Sequence, residues 1–468
     1  MLAAFHPLVW SPCAVLRLLD AGDESNQFEE ILYANSTICK FLREILRRES
    51  TMHFKHTSRL LLLFIMASAL MMAACAPIAA PTVVEPGVPE NVSGIVAEAP
   101  AQNVKEGCIS TFDPTIDYFP EKLTIEYSEG WTIEYFKHYK VITVLNPWRN
   151  AEEIFQYVLV QCGAPIPEGY DNVQVVEVPI DSIITMSTTQ LPHLVKLGRL
   201  DALIGHSEFR YVNTPEVRAL IDAGKLIEVG GGADVNVELV LDANPDLVMT
   251  YGVGNPQWDA HPKLLEAGLK VALNSEYMET SPLGRVEWIK FTAAFFNEEA
   301  QATLVFREIA DRYNAMSTLA KTVEIRPTVF TGTLRGDAWN MPGGRSYVAR
   351  YLEDAGAAYL WADDESTGSI PLDFETVFER AANADFWLNT GSWTTRAEAA
   401  AADERYAQFR AYQIGAMYNN NARLNEYGGN DYWEGGLANP DVVLADLIKI
   451  FHPELLPDHE LVYYRKLD

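Results

Sequence analysis

The chain of 468 residues is long enough for two or three domains, and at 48% hydrophobic and 21% charged it is built to bury a large core. Lys and Arg number 36 against 64 Asp and Glu, a net charge of −28 that repels phosphate backbones and argues against nucleic acid as a partner. Five cysteines are too few for a disulfide scaffold and lack the spacing of a zinc site.

Residues 1–75 carry 7 basic and 7 acidic side chains, so the whole net charge belongs to residues 76–468. The apolar run Leu60–Met72 is thirteen residues long, short of the roughly 20 that a membrane-spanning helix needs. Lys55 and Arg59 precede it and Ala73, Ala74 and Cys75 follow, the order of a secretory signal. The cysteine after two alanines resembles a bacterial lipoprotein lipobox, in which Cys75 becomes the lipidated N-terminus, although Met72 stands where Leu is usual. A plain secretory signal is the alternative. Residues 52–75 are thus expected to be a lipoprotein signal peptide starting at Met52, residues 1–51 a mis-assigned N-terminal extension, and 76–106 a Pro/Ala-rich tether. Cys13 and Cys39 fall in the extension, which leaves Cys108 and Cys162 either as one disulfide or as two separately buried thiols.

From residue 139 apolar runs alternate with helical patterns. Strands are expected at Tyr139–Leu145 and Tyr157–Cys162 as a pair, with Val173–Val178 and Ser182–Met186 continuing the same sheet. Helices at Leu191–Leu200, Pro215–Ala223, Val237–Ala243 and His261–Ala267 alternate with strands at Ala202–Gly205, Leu226–Val229, Asp246–Tyr251 and Lys270–Leu273. This spacing implies βαβ units and a largely parallel sheet. Residues 282–321 show only helix: Val286–Phe296, then a longer one with Asn297 as N-cap. Alternation resumes with a strand at Thr328–Thr333, helices at Ser346–Ala355 and Phe374–Arg380, a strand at Asp385–Asn389, a helix at Arg396–Tyr412 and a closing helix at Pro440–Phe451. The expected architecture is α/β: two three-layer lobes, 107–281 and 322–468, with central, largely parallel sheets joined by a long rigid helical connector, 282–321. Val237–Thr250 and Phe374–Asn389 echo one another, each a short helix with Glu at its second position leading through Asp into a strand.

No nucleotide-binding, zinc-protease or serine-hydrolase motif is present, and His193, His206 and His261 are dispersed. No catalytic residue, metal site or cofactor is expected. Asp431 and Glu434 form the one carboxylate pair that would suit acid–base chemistry, so a secreted hydrolase stays open as a second class and a sensor or adhesion module as a third. Loops after strands are rich in aromatics and arginine, and ligands of α/β sheets bind beyond the carboxyl ends of strands. Candidate ligand-binding residues are therefore Arg335, Trp339, Arg345, Trp393, Tyr432 and Trp433 in the second lobe, with Thr188, Thr189, Gln190 and Tyr251 in the first. The competing reading is that these aromatics pack the domain edge.

An exported two-lobe α/β chain with a helical connector resembles the substrate-binding proteins of ABC importers, in particular the ferric-siderophore and cobalamin periplasmic-binding family (class III architecture). Val237–Met249 is similar to that family's helix-into-strand segment, and Gly428–Glu434 with Pro440–Glu454 is similar to its iron-importer members. The resemblance implies a lipid-anchored, extracytoplasmic monomer that hands a ferric siderophore or related metal chelate to a permease and its ATPase. Cobalamin and haem are the competing ligands. It also implies permease docking through Glu238 and Glu375, although either acid is also explained by the dipole of its helix. Residues 107–171 precede the family's usual first strand and have no assigned role.

Overall fold

A computed structural model describes residues 99–468 of the chain. The expected extension, signal peptide, lipidated Cys75 and most of the tether lie outside the described residues. Within them, a small sheet comes first. Strands β1 (Trp131–Tyr135), β2 (Tyr139–Val144) and β3 (Phe155–Gln161) pair antiparallel, and β4 (Gln174–Val178) joins β3 in parallel. The two-residue period of the strands divides their side chains. Ile142, Val144, Tyr157 and Leu159 enter the main core, while Val141, Val158 and Val160 form a satellite cluster on the other face. A Cys108–Cys162 disulfide, with Cα atoms 4.6 Å apart, ties the segment before β1 to the end of β3.

The expected continuous sheet is in fact two. Pro179 has no N–H to extend a ladder, and the N–H groups of Asp181 and Ser182 turn to the Asp246 carboxylate at 2.9 Å. A new sheet begins with β5 (Ile183–Thr185), followed by α1 (Leu191–Leu197), β6 (Leu203–His206), α2 (Pro215–Asp222), β7 (Ile227–Glu228), α3 (Val237–Ala243), β8 (Leu247–Thr250), α4 (His261–Glu266) and β9 (Val271–Leu273). Its order is β7-β6-β5-β8-β9, all parallel.

The connector comprises α5 (Pro282–Val286), α6 (Trp288–Ala294) and the 22-residue α7 (Glu299–Ala320). Asn297 is not the cap. It adopts φ of 57°, and its side chain accepts from Lys140 Nζ at 2.9 Å and donates to the Val104 carbonyl at 2.6 Å.

The second lobe contains β10 (Thr328–Thr331), β11 (Leu334–Arg335), β12 (Ala338–Pro342), α8 (Tyr347–Asp354), β13 (Ala358–Tyr359), β14 (Ser369–Leu372), α9 (Phe374–Ala381), β15 (Phe386–Leu388), α10 (Arg396–Ala402), α11 (Arg410–Gln413), β16 (Met417–Asn419), α12 (Gly435–Ala438), α13 (Pro440–Phe451) and β17 (Arg465–Lys466). Its main sheet runs β13-β10-β15-β16-β17, parallel except for β17, and β11-β12-β14 form an antiparallel sheet beside it. The single helix expected at Arg396–Tyr412 breaks at Asp403, which is extended and caps a following 3₁₀ turn.

The sequence echo has a structural counterpart. Asn236 and Asp373 cap α3 and α9. The aspartate after each helix then holds the start of β5 or β10, the first strand in sequence of each parallel sheet. Asp246 accepts from Ser182 N and Oγ, both at 2.9 Å, and Asp385 accepts from Thr328 N and Oγ1, both at 2.8 Å.

Three buried acids bind the first sheet and its preceding loop to the connector. Glu287 accepts from the backbone N–H groups of Glu126, Tyr127 and Ser128 (2.7–2.9 Å) and from Lys290 at 2.7 Å. Glu279 accepts from Gly130 N at 2.9 Å, Trp288 Nε1 at 2.8 Å and the Ser128 hydroxyl. A side chain at Gly130 would sit 2.9 Å from the Glu279 carboxylate, so this approach requires glycine. Glu299 accepts from Asn103 at 2.8 Å and pairs with the fully buried Lys140.

The lobes also meet at a second place. Glu434, fully buried in the second lobe, accepts from Asn213 N and Thr214 N of the first lobe, both at 2.7 Å, and from Asn213 Nδ2 and Thr214 Oγ1. Asn425 adds bonds to the carbonyls of Arg210 and Val212 at 2.9 and 3.1 Å. The Asp431/Glu434 pair is therefore corrected from candidate acid–base chemistry to structure: Asp431 is held by Arg423 at 2.6 Å, and Glu434 has no free oxygen.

Glu434→Ala leaves the buried Thr214 N–H and the part-buried Asn213 N–H without an acceptor and should cost about 2–4 kcal/mol in a denaturant melt, with Glu434→Gln costing less. A second expectation concerns pH. Burial pulls His193 down to about 3 and His206 down to about 4 from 6.5. Between 6.5 and the folded values the unfolded chain binds more protons, so stability from these groups falls as pH drops. Buried Glu276 and Glu434, whose pKa values burial raises, act in the opposite sense. The histidine share is therefore read by difference: a His206→Gln variant should show a shallower loss between pH 6.5 and 4 than the parent.

Candidate functional site

In both parallel sheets the strands end toward loops that carry most of the candidate residues. After β5, Ser187 caps a 3₁₀ turn at Thr188–Gln190 that leads into α1. Thr188 and Thr189 are half-buried at this turn. Gln190 is not available to a ligand: it is buried, and its side-chain oxygen accepts from the N–H groups of Met186 and Ser187. After β8, Tyr251 is 37% exposed, and burial together with Asp259, Glu208 and Glu276 raises its hydroxyl pKa.

In the second lobe Arg335 stands exposed at the end of β11 and lines a cavity of about 140 Å³ with Gly332, Thr333, Asn340, Asn389 and Gly391. These residues follow β10 and β15 or sit in the β11–β12 hairpin, so the cavity lies where parallel sheets place ligands. Asn389, in the left-handed region at φ of 54°, turns the chain out of β15. The guanidinium offers a forked donor in a cavity otherwise lined by a hydroxyl, two amides and glycine backbone, which suits carboxylate or phenolate oxygens. Sequence reasoning missed Thr333, Asn340 and Asn389. Their signal was position: Thr333 and Asn389 close the expected strands Thr328–Thr333 and Asp385–Asn389, and Asn340 lies in the segment that follows the first of them.

Other candidates fall elsewhere. Trp339 is corrected to a core residue: it is fully buried, donates from Nε1 to the Thr331 carbonyl at 2.8 Å, and packs among Phe330, Trp387 and Tyr406. Tyr432 is likewise buried against Tyr463 and Tyr464. Trp393 is half-buried with its ring against Trp387 and Tyr406, so it walls the core more than it presents a face. Trp433 is 48% exposed. Arg345 does not join Arg335: it is exposed, paired with Glu365 at 3.1 Å, and lines a different and larger cavity beside the connector.

Glu238 and Glu375 are exposed in the first turns of α3 and α9. Glu375 lies 3.3 Å from Arg405, a solvent-exposed contact worth little. No cluster of three or more His, Cys, Asp or Glu side chains able to hold a metal ion occurs among the described residues.

Comparison with known proteins gives the family. Two uncharacterized lipoproteins of Methanocaldococcus jannaschii are each 28% identical, over 309 and 327 residues. The alignments cover 63% and 67% of this chain and 71% and 80% of the relatives. Among solved structures, a periplasmic heme binding protein from Pseudomonas aeruginosa is similar at 18% identity and a TM-score of 0.46, over 62% of this chain and 98% of that one. A possible iron-binding periplasmic protein from Staphylococcus epidermidis is similar at 17% and 0.46, over 58% and 98%. The periplasmic binding protein profile matches residues 183–423, more than half of the 468. That span runs from the first strand of one parallel sheet to β16 of the other, and the chain belongs to the periplasmic binding protein family.

Proposed function

We propose that this chain is an extracytoplasmic solute-binding protein of an ABC importer, tethered by a lipid on Cys75, that captures a metal chelate between its lobes and passes it to a permease. A ferric siderophore is the ligand proposed first, with cobalamin and haem as its competitors. The observation that carries this reading is the family match across both parallel sheets. It is supported by an exposed arginine in a cavity at the strand ends and by exposed Tyr251 and Trp433, whose rings suit a large, partly apolar ligand. Relatives named as lipoproteins support the tether. Capture is non-covalent: Arg335 pairs with chelate oxygens, Thr188 and Thr189 add hydroxyl contacts, and Tyr251 and Trp433 contact the ligand's apolar faces. Glu238 and Glu375, one on each lobe, then meet cationic groups of the permease.

A tryptophan-fluorescence titration against ferric siderophores, cobalamin and haem tests the class. One chelate should quench saturably after inner-filter correction, and Arg335→Ala should weaken it about tenfold, the loss of one charge-assisted contact. Silence across the panel from folded protein removes chelate capture. Docking is tested separately. Glu238→Ala with Glu375→Ala should leave chelate affinity unchanged while lowering uptake by cells carrying the permease, and unchanged uptake removes the docking role.

A further inference from the structure

The larger cavity, about 470 Å³, shares no lining residue with the Arg335 cavity and lies among the connector, the start of α8 and the loop before β1. That volume is within the range of about 300–1,000 Å³ that holds small molecules. One wall comes from Tyr127, in the segment that precedes the family match, held in place because its N–H donates to Glu287 at 2.7 Å. Its hydroxyl accepts from Asn314 of α7 at 3.2 Å. Thr280 and Ser281 add hydroxyls from the chain just before α5.

The charge of the lining is the second observation. Lys321, Arg345 and Arg350 share the lining with Glu353 and Asp354, three cations against two acids, on a chain whose net charge is −28. The acids are already engaged. Asp354, 2% exposed, accepts from Tyr313 Oη, Ser317 Oγ and Arg350 Nε, each at 2.9 Å, and Glu353 lies 3.5 Å from Arg350. Lys321 has no ion-pair partner among the described residues, and the partner of Arg345 is a solvated surface acid. A lining of hydroxyls and one amide with a surplus cation suits a small anion that also carries hydroxyl groups.

We propose that this cavity is a second binding site, separate from the cleft, for a small polyhydroxylated anion of the sugar-acid or sugar-phosphate kind. Lys321 and Arg345 meet the anionic group, and Asn314, Thr280 and Tyr127 meet hydroxyls. The loop before β1 thereby acquires a role: it supplies a wall of the site.

Calorimetric titration of the full chain with gluconate, glucose 6-phosphate and glucose tests this. One or both anions should saturate while glucose binds at least tenfold more weakly, and which anion binds tighter separates carboxylate from phosphate. Lys321→Met, at an exposed position, should weaken the anion about tenfold, and Tyr127→Ala should weaken it as well. Arg335→Ala, in the other cavity, should leave it unchanged. The proposal is overturned if neither anion saturates, if glucose matches them, or if Lys321→Met has no effect. It is also overturned if Arg335→Ala or a saturating ferric chelate abolishes anion binding, because the anion would then occupy the cleft. Failure of the chelate titration alone leaves this site standing, so the two readings fail separately.

Discussion

The three carboxylates of Glu279, Glu287 and Glu299 set the geometry on which the remainder of the molecule rests. Each is nearly or wholly inaccessible to solvent; Glu287 accepts mainly from backbone N–H groups of the loop before β1, and Glu279 from backbone N–H groups of that loop together with the Ser128 and Trp288 side chains. A buried carboxylate is costly unless its lone pairs are filled, and here they are filled by donors that a packed core could not supply. The loop and the connector are consequently interdependent. Without Glu126–Gly130, Glu279 and Glu287 would be stranded, and without those two acids that loop would carry a run of unpaired N–H groups. Lys140 extends the logic: burial lowers its pKa, Glu299 opposes this, and Asn297 leaves helical geometry to complete the contact.

This mutual dependence fastens the first half of the connector to the four-stranded sheet and the loop before it. The covalent path between lobes lies at one edge of the first-lobe sheet, after β9. The Glu434 clasp grips Asn213 and Thr214, which follow β6 toward the opposite edge. The cleft is thus bounded by a braced connector at one edge and, toward the other, by a clasp of hydrogen bonds to a buried carboxylate beside which the Arg218 guanidinium lies 5.7 Å from the Tyr427 ring.

Much of the fold was legible because its signals are local. Val237–Ala243 and Pro440–Phe451 form helices with the expected bounds, each announced by Asn or Asn-Pro at its start and by apolar spacing within. The Glu-headed echo was legible as sequence, and Asp246 and Asp385 explain it, since each binds the first strand in sequence of its own parallel sheet. What failed to be legible depends on distant partners. Glu434 looked like a free acid in a glycine-rich loop because its donors lie 220 and 221 residues away. Trp339 looked like a ligand-facing ring because β11, β12 and β14 were read as loop, and pairing in that small sheet turns the indole inward to Thr331. At the candidate site, Arg335 was found by residue type, whereas Asn340 and Asn389 required knowing which strand ends converge.

The distribution of arginine sharpens this lesson. A reading that treats Arg335 and Arg345 as one pair assumes that ten residues of loop bring them together. The chain between them is instead the β11–β12 hairpin and the turn into α8, which delivers the two guanidiniums to different cavities. Arg335 stands at the carboxyl ends of a parallel sheet, whereas Arg345 faces the connector and the loop that the connector acids hold. Two cations that composition counts together therefore serve two environments. The difference between those environments originates in the segment before β1 and in the carboxylates that bind it.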